Sequence, residues 1–268
     1  MDVLAPLIRF LTPDMERPGM DGWFHLLFFA LSIIGGILLC RYIKPSEKNV
    51  RIILLVTSVT VILLELYKHF VYSFEINDAG KVVFDYQWYI FPWQFCSTPM
   101  FFGLFAGLTK GRVHRALCAY LATYALFAGT SVMVYPSTVF ISLIGINIQT
   151  MVCHGSMITV GVYLLYTQYV KNEHKTILHA LPVFIGAVTV AAILNEIAYR
   201  VGLLETENFN MFFISPYQDP HLPVYSLVQQ YVPFPWCLGL YVLGFTAAGY
   251  ILLLIAMGIR KLFTKKNA

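Results

Sequence analysis

Cys96 and His154 are the two side chains with which this sequence could carry out covalent chemistry. A thiol and an imidazole at one depth are the minimum for nucleophilic acyl transfer: the histidine takes the thiol proton, and the thiolate attacks an ester carbonyl to give a thioester. An isolated thiol in apolar surroundings stays inert, so Cys96 needs such a partner. Glu65, His69 and Asn195 are candidates to orient the imidazole or to stabilise an oxyanion, and Gln94 is a further amide donor. The hydroxyls of Ser97 and Thr98 stand beside Cys96 as additional donors. This chemistry calls for no cofactor and no metal.

The elements that must position these groups are membrane spans. Of the 268 residues, 58% are hydrophobic and only 12% charged, too apolar for a solvated surface. A helix needs about 20 apolar residues to cross the hydrocarbon. Seven segments meet that length: 22–42, 51–73, 88–108, 113–134, 147–170, 177–200 and 236–259. The expected fold is therefore all-α, a single seven-helix transmembrane domain. The first apolar stretch is long enough to span and has no small-residue cleavage site after it, which marks a retained helix rather than a signal peptide.

Charge sets the orientation. Alternate loops carry Arg41, Lys44, Lys48 and Arg51; Lys110, Arg112 and Arg115; Lys171 and Lys175; and Arg260, Lys261, Lys265 and Lys266, thirteen of the eighteen basic residues. Only Glu47 and Glu173 oppose them. The other side holds Asp2, Asp14, Glu16, Asp21, Glu75, Asp78, Asp85, Glu205, Glu207 and Asp219. The positive-inside rule then puts the N-terminus outside and the C-terminus in the cytoplasm. The net charge of +4 resides in these short loops and not on one face, which gives no support to nucleic-acid binding. The cysteines at 40, 96, 118, 153 and 237 are scattered singly, so no disulfide framework or zinc ribbon is indicated.

Ionisable groups within hydrocarbon cost several kcal/mol unless paired or hydrated, and so point to function. Glu65 and His69 are one turn apart and Lys68 can also reach Glu65; an interfacial ion pair is the plain alternative. A lone intramembrane histidine is more often a packing residue than a catalyst. Glu196 and Arg200 form an i,i+4 pair read as structural. Pro99 leaves the Phe95 carbonyl without its helical donor, which should bend the third span beside Cys96. Taken jointly, Glu65, His69, Gln94, Cys96, His154, Asn195 and Glu196 fall at similar outer depth, as one outward-facing polar cavity would require. Outside the spans, Asn77-Asp78-Ala79-Gly80 signals a tight hairpin turn within 73–87. The loop 202–235, with Pro216, Pro220, Pro223, Pro233 and Pro235, reads as a cap on the outer surface.

Several residues also carry a resemblance. The run Phe91-Pro92-Trp93-Gln94-Phe95-Cys96-Ser97, the later Cys153-His154-Gly155, the loop Asn208-Phe209-Asn210-Met211-Phe212-Phe213 with Pro216, and Pro235-Trp236 resemble the YwaF-like integral membrane family over most of the chain. Animal members include an ether-lipid acyltransferase that uses a cysteine and a histidine, at a separation similar to that of Cys96 and His154. The resemblance implies a transacylase that moves an acyl chain between phospholipids through a cysteine thioester, in a bacterial plasma membrane. Two rivals use the same cavity differently: a transporter or small-molecule receptor, and a zinc-dependent lipid hydrolase with Glu65, His69 and His154 as ligands. The few polar residues toward the cytoplasmic side, and the absence of an internal repeat, speak against a transport path.

Overall fold

The computed structural model describes residues 4–219 and 222–265; Asp2, Pro220 and Lys266 lie outside the described residues. Ten α-helices are described: α1 (Leu4–Leu11), α2 (Trp23–Tyr42), α3 (Glu47–Ser73), α4 (Thr98–Leu108), α5 (Gly111–Tyr120), α6 (Leu126–Val134), α7 (Ile144–Tyr166), α8 (Lys175–Arg200), α9 (Pro223–Tyr231) and α10 (Phe234–Lys265). A π-helical turn, Leu121–Ala125, joins α5 to α6 into one continuous span. Six helical segments among the described residues are long and apolar enough to cross a membrane, counting α5 to α6 as one. The principal pairs are α3 with α4, α2 with α7, α6 with α7, and α5 with α8. The α5–α6 span and α7 are the most enclosed, whereas α2 and α10 turn most of their surface outward. Local signals agree with the starts: Ser46 caps α3 by accepting from the Asn49 backbone N–H at 3.2 Å, with Glu47 in the first turn.

The segment expected to be the third span differs from a bent helix. Residues 88–108 are helical over an ordinary length only in the 11 residues of α4, preceded by a short 3-10 turn, Trp88–Ile90, and irregular chain. The two prolines explain this. Pro92 excludes the helical conformation at Phe91, which sits at ψ 132°, and Pro99 is favourable only in the first turn of a helix, where it is found. The whole segment still runs antiparallel to α3 along its length. At one end the Asp85 N–H donates to the Ser73 carbonyl at 2.9 Å, and at the other Arg51 Nε donates to the Gly107 carbonyl at 2.7 Å.

The connections at one end fold over the bundle. Strands β1 (Phe74–Ile76) and β2 (Val82–Phe84) form the expected antiparallel hairpin, with Gly80 at the turn in the left-handed region at φ 72°. The N-terminal segment is tied down as well: Tyr67 donates to the Leu11 carbonyl at 2.6 Å, and the Met15 N–H donates to the Ser142 carbonyl at 2.8 Å. Within 202–235, α9 lies beside α10, while Met211 and Phe212 are fully buried.

Candidate functional site

Irregular backbone at membrane depth must find partners in the protein itself. The stretch before α4 does so partly within itself, the Trp93 N–H donating to the Phe91 carbonyl at 2.7 Å and the Ser97 N–H to the Gln94 carbonyl at 2.9 Å. Trp93 Nε1 donates to the Ala187 carbonyl at 3.2 Å, and Thr98 Oγ1 donates to the Phe95 carbonyl at 3.1 Å, supplying the bond that Pro99 withholds. The Cys96 carbonyl accepts from the Cys153 thiol at 3.7 Å. Cys96 thus sits two residues before a helix start, in unwound chain, only partly buried, against the turn of α7 that carries Cys153 and His154.

His154 is held by its own helix. Its Nδ1 lies 2.7 Å from the Thr150 carbonyl, which can only accept. Nδ1 therefore carries the proton, and Nε2 presents its lone pair. That nitrogen is buried and has no hydrogen-bond partner among the described residues. A buried acceptor left open is costly in a structural role and suited to a base. Two glycines set the position of this turn: a Cβ at Gly129 would stand 2.7 Å from the His154 carbonyl oxygen, and one at Gly155 would stand 2.2 Å from Ser32 Oγ. Close helix approach through small residues is how α7 is seated between α2 and α6.

On α3, Glu65 is 4% exposed and organises a charged network. Lys68 Nζ reaches its Oε1 at 2.5 Å, His69 Nε2 stands 3.6 Å from the same oxygen, and Gln149 Nε2 donates to Oε2 at 2.9 Å. Tyr86 stacks on His69 with centroids 5.7 Å apart, and its hydroxyl lies 3.2 Å from Nδ1. Burial, and then the Glu65 charge, push the Tyr86 phenol above its ordinary value, so it keeps its proton and donates. His69 then turns its Nε2–H toward Glu65. Gln149 precedes Cys153 by one turn of α7, so its bond ties Glu65 to the face of α7 that carries Cys153. No hydrogen bond joins the Cys96 sulfur to His154 in this conformation. A cavity of about 30 Å³, room for a single water, lies beside Cys153 and is lined in part by Ser58, Pro99 and Ser156; neither Cys96 nor His154 lines it.

The remaining expected residues separate from this cluster. Gln94 and Asn195 hold the cap loop: Gln94 Nε2 donates to the Asn210 carbonyl and its Oε1 accepts from the Phe212 N–H, both at 2.9 Å. Asn195 brackets Met211 in the same way, donating to its carbonyl at 3.0 Å and accepting from its N–H at 2.7 Å. These four bonds, with Tyr241 donating to the Phe212 carbonyl at 3.1 Å, hold Phe212 and Phe213 in the left-handed region at φ 57° and 56°. Glu196 points elsewhere. It is an exposed partner of Arg200 at 2.6 Å and of the Tyr217 hydroxyl at 2.6 Å, outside any shared cavity. Gln149, Tyr86 and Tyr241 were not singled out by sequence; an amide inside a span, as at Gln149, was the one available signal. Among the described residues, no three His, Cys, Asp or Glu side chains converge to hold a metal ion, so Glu65, His69 and His154 do not form a zinc set.

The comparisons with known proteins address the chain as a whole. No curated protein and no solved structure matches it. The model of the TMEM164 family matches residues 18–257, a stretch that takes in α2 through most of α10 and every residue of the cluster just described. The chain belongs to the TMEM164 family, a family of membrane proteins.

Proposed function

We propose that this protein is a phospholipid acyltransferase of the outer leaflet, with Cys96 as nucleophile and His154 as general base. The observation that carries the reading is the buried, unpartnered Nε2 lone pair of His154, on the turn of α7 that contacts Cys96 through Cys153. The thiol proton passes to that nitrogen, the sulfur bonds to the ester carbonyl carbon, and the carbon–oxygen bond to the donor glycerol breaks as its oxygen takes the proton. A lysophospholipid hydroxyl then attacks the thioester, gives its proton to His154, and releases the thiolate, which recovers it. Substrate binding closes the gap between sulfur and nitrogen, as catalytic contacts commonly tighten only in the complex. Glu65 and His69 contribute the charge around the imidazole; Gln94 and Asn195 act through the cap loop. The reading includes seven crossings, with 88–108 as the third, and the N-terminus outside.

The test is covalent. Full-length protein incubated with a phospholipid bearing a labelled acyl chain should carry the label in a hydroxylamine-sensitive bond. Cys96→Ala should abolish it, and Cys153→Ala should retain it. Label that survives Cys96→Ala, or wild-type protein that no phospholipid labels, would instead favour a transporter or receptor using the same residues.

A further inference from the structure

A groove of about 350 Å³ lies between α6, α9 and α10, away from Cys96. Phe127, Leu240, Phe245 and Ala248 give it apolar walls, and two phenols, Tyr225 and Tyr241, line it. Tyr225 is 6% exposed, lines the groove and packs edge-on against Tyr241 at 5.4 Å, yet its hydroxyl has no partner among the described residues. A buried phenol without a partner costs free energy unless a ligand supplies one. The neighbouring Leu227, Leu240 and Leu243 are exposed, so the groove opens to whatever surrounds the bundle.

We infer that the groove holds an acyl chain of a membrane phospholipid, with the Tyr225 hydroxyl donating to its ester carbonyl. Length supports this occupant. Leu240 to Ala248 spans about 12 Å of helix at 1.5 Å per residue, most of the ~15 Å hydrocarbon depth of one leaflet. Tyr225, on the cap helix, stands at the outer end, where an ester carbonyl lies. A polar metabolite would leave these walls unsatisfied, and a lone alkane would leave the hydroxyl unpaired. The groove also leads to the proposed nucleophile. Phe245 forms an edge contact with Phe95 at 5.0 Å, and Phe95 precedes Cys96; Phe212 lies 5.6 Å from Phe95 on the same side. Phe245 thus links the groove to Phe95, the residue before the thiol. The site is a binding site in its own right, and only its role as a waiting place for donor lipid rests on the acyltransferase reading.

The experiment uses Cys96→Ala protein, which cannot form the thioester, in nanodiscs with a phosphatidylcholine bearing a diazirine on one acyl chain. Irradiation should label peptides within 222–248. Gly244 lines the groove and has open space where a Cβ would stand, so Gly244→Phe puts a ring into the groove and should cut that labelling at least ~5-fold. Gly258→Phe, equally open but at the far end of α10, should leave it unchanged. Tyr225→Phe should erase a roughly five-fold preference for ester-linked over ether-linked competitor lipid, the equivalent of one hydrogen bond. Labelling spread evenly over α2, α3 and α10, or unaffected by Gly244→Phe, overturns the proposal. Groove labelling with no thioester in the wild type would leave it standing and remove the acyltransferase reading instead.

Discussion

Two histidines with a thiol nearby lie in this bundle among the described residues, one toward each end, and they differ both in contact with the thiol and in how their ring nitrogens are spent. At the basic end His114 is buried, with Nδ1 2.7 Å from the Ala106 carbonyl and Nε2 2.6 Å from the Tyr169 hydroxyl; Cys118 lies 3.5 Å from Nε2. The Ala106 carbonyl can only accept, so Nδ1 carries the proton and Nε2 accepts from the Tyr169 hydroxyl. At the other end His154 has one nitrogen bonded and the other open. The pair in direct contact is the saturated one. Contact between a thiol and an imidazole is thus a poor sign of chemistry; an unspent lone pair is the better one.

The largest expected effect comes from removing each imidazole in turn. His154→Ala should slow acylation roughly 10²- to 10⁴-fold, the usual contribution of a positioned base, with little change in the unfolding midpoint in detergent. His114→Ala should do the reverse: about 2–3 kcal/mol of stability lost from two buried hydrogen bonds and a cavity, with acylation by the folded fraction retained. Single-turnover labelling and thermal unfolding of both variants decide the matter. Loss of labelling in His114→Ala at full folding would invert the assignment.

A smaller effect should follow from moving His154 without altering it. The Cβ of Gly129→Ala meets backbone oxygen and Met157 Cβ at 2.7 Å, neither of which can swing aside. Overpacking of this kind costs about 1–3 kcal/mol, and the shifted turn should lower the acylation rate as well. At Gly155→Ala the obstacle is the Ser32 hydroxyl, a side-chain tip that can rotate, so both effects should be weaker. Equal behaviour of the two variants would mean that the placement of α7 does not control the site.

These contrasts mark how far the sequence could be read. Hydropathy finds the six long helices because lipid imposes a length, and Asn77-Asp78-Ala79-Gly80 locates the hairpin because the turn requires a residue like Gly80. The third span misled because a length count is blind to where backbone bonds go. Pro92 and Pro99 announce a disruption, but the Thr98 hydroxyl and the Cys153 thiol take up the Phe95 and Cys96 carbonyls, the second across a distance that no local pattern encodes. Depth grouped Glu65 with His69, which stand 3.6 Å apart. It also swept in Glu196, although adjacent residues on a helix point about 100° apart and Asn195 and Glu196 cannot share one face.

That adjacent pair supplies the finest test. Asn195 is buried and spends both ends of its amide on the Met211 backbone, so Asn195→Ala leaves two buried loop groups unpaired and should cost about 1–3 kcal/mol. It should also release the left-handed Phe212 and Phe213 from their clamp, seen as earlier proteolysis within 208–216. Glu196 is exposed, and its bonds to Arg200 and Tyr217 replace bonds to water. Glu196→Gln keeps an oxygen for Tyr217, so it should leave the melting temperature, the proteolysis pattern and acylation unchanged at low and high salt alike, since screening has little left to remove. A loss from Glu196→Gln as large as that from Asn195→Ala would mean that the exposed ring of Glu196, Arg200 and Tyr217 secures the cap, and that the division between a buried clamp and a solvated pair on one turn of α8 is drawn in the wrong place.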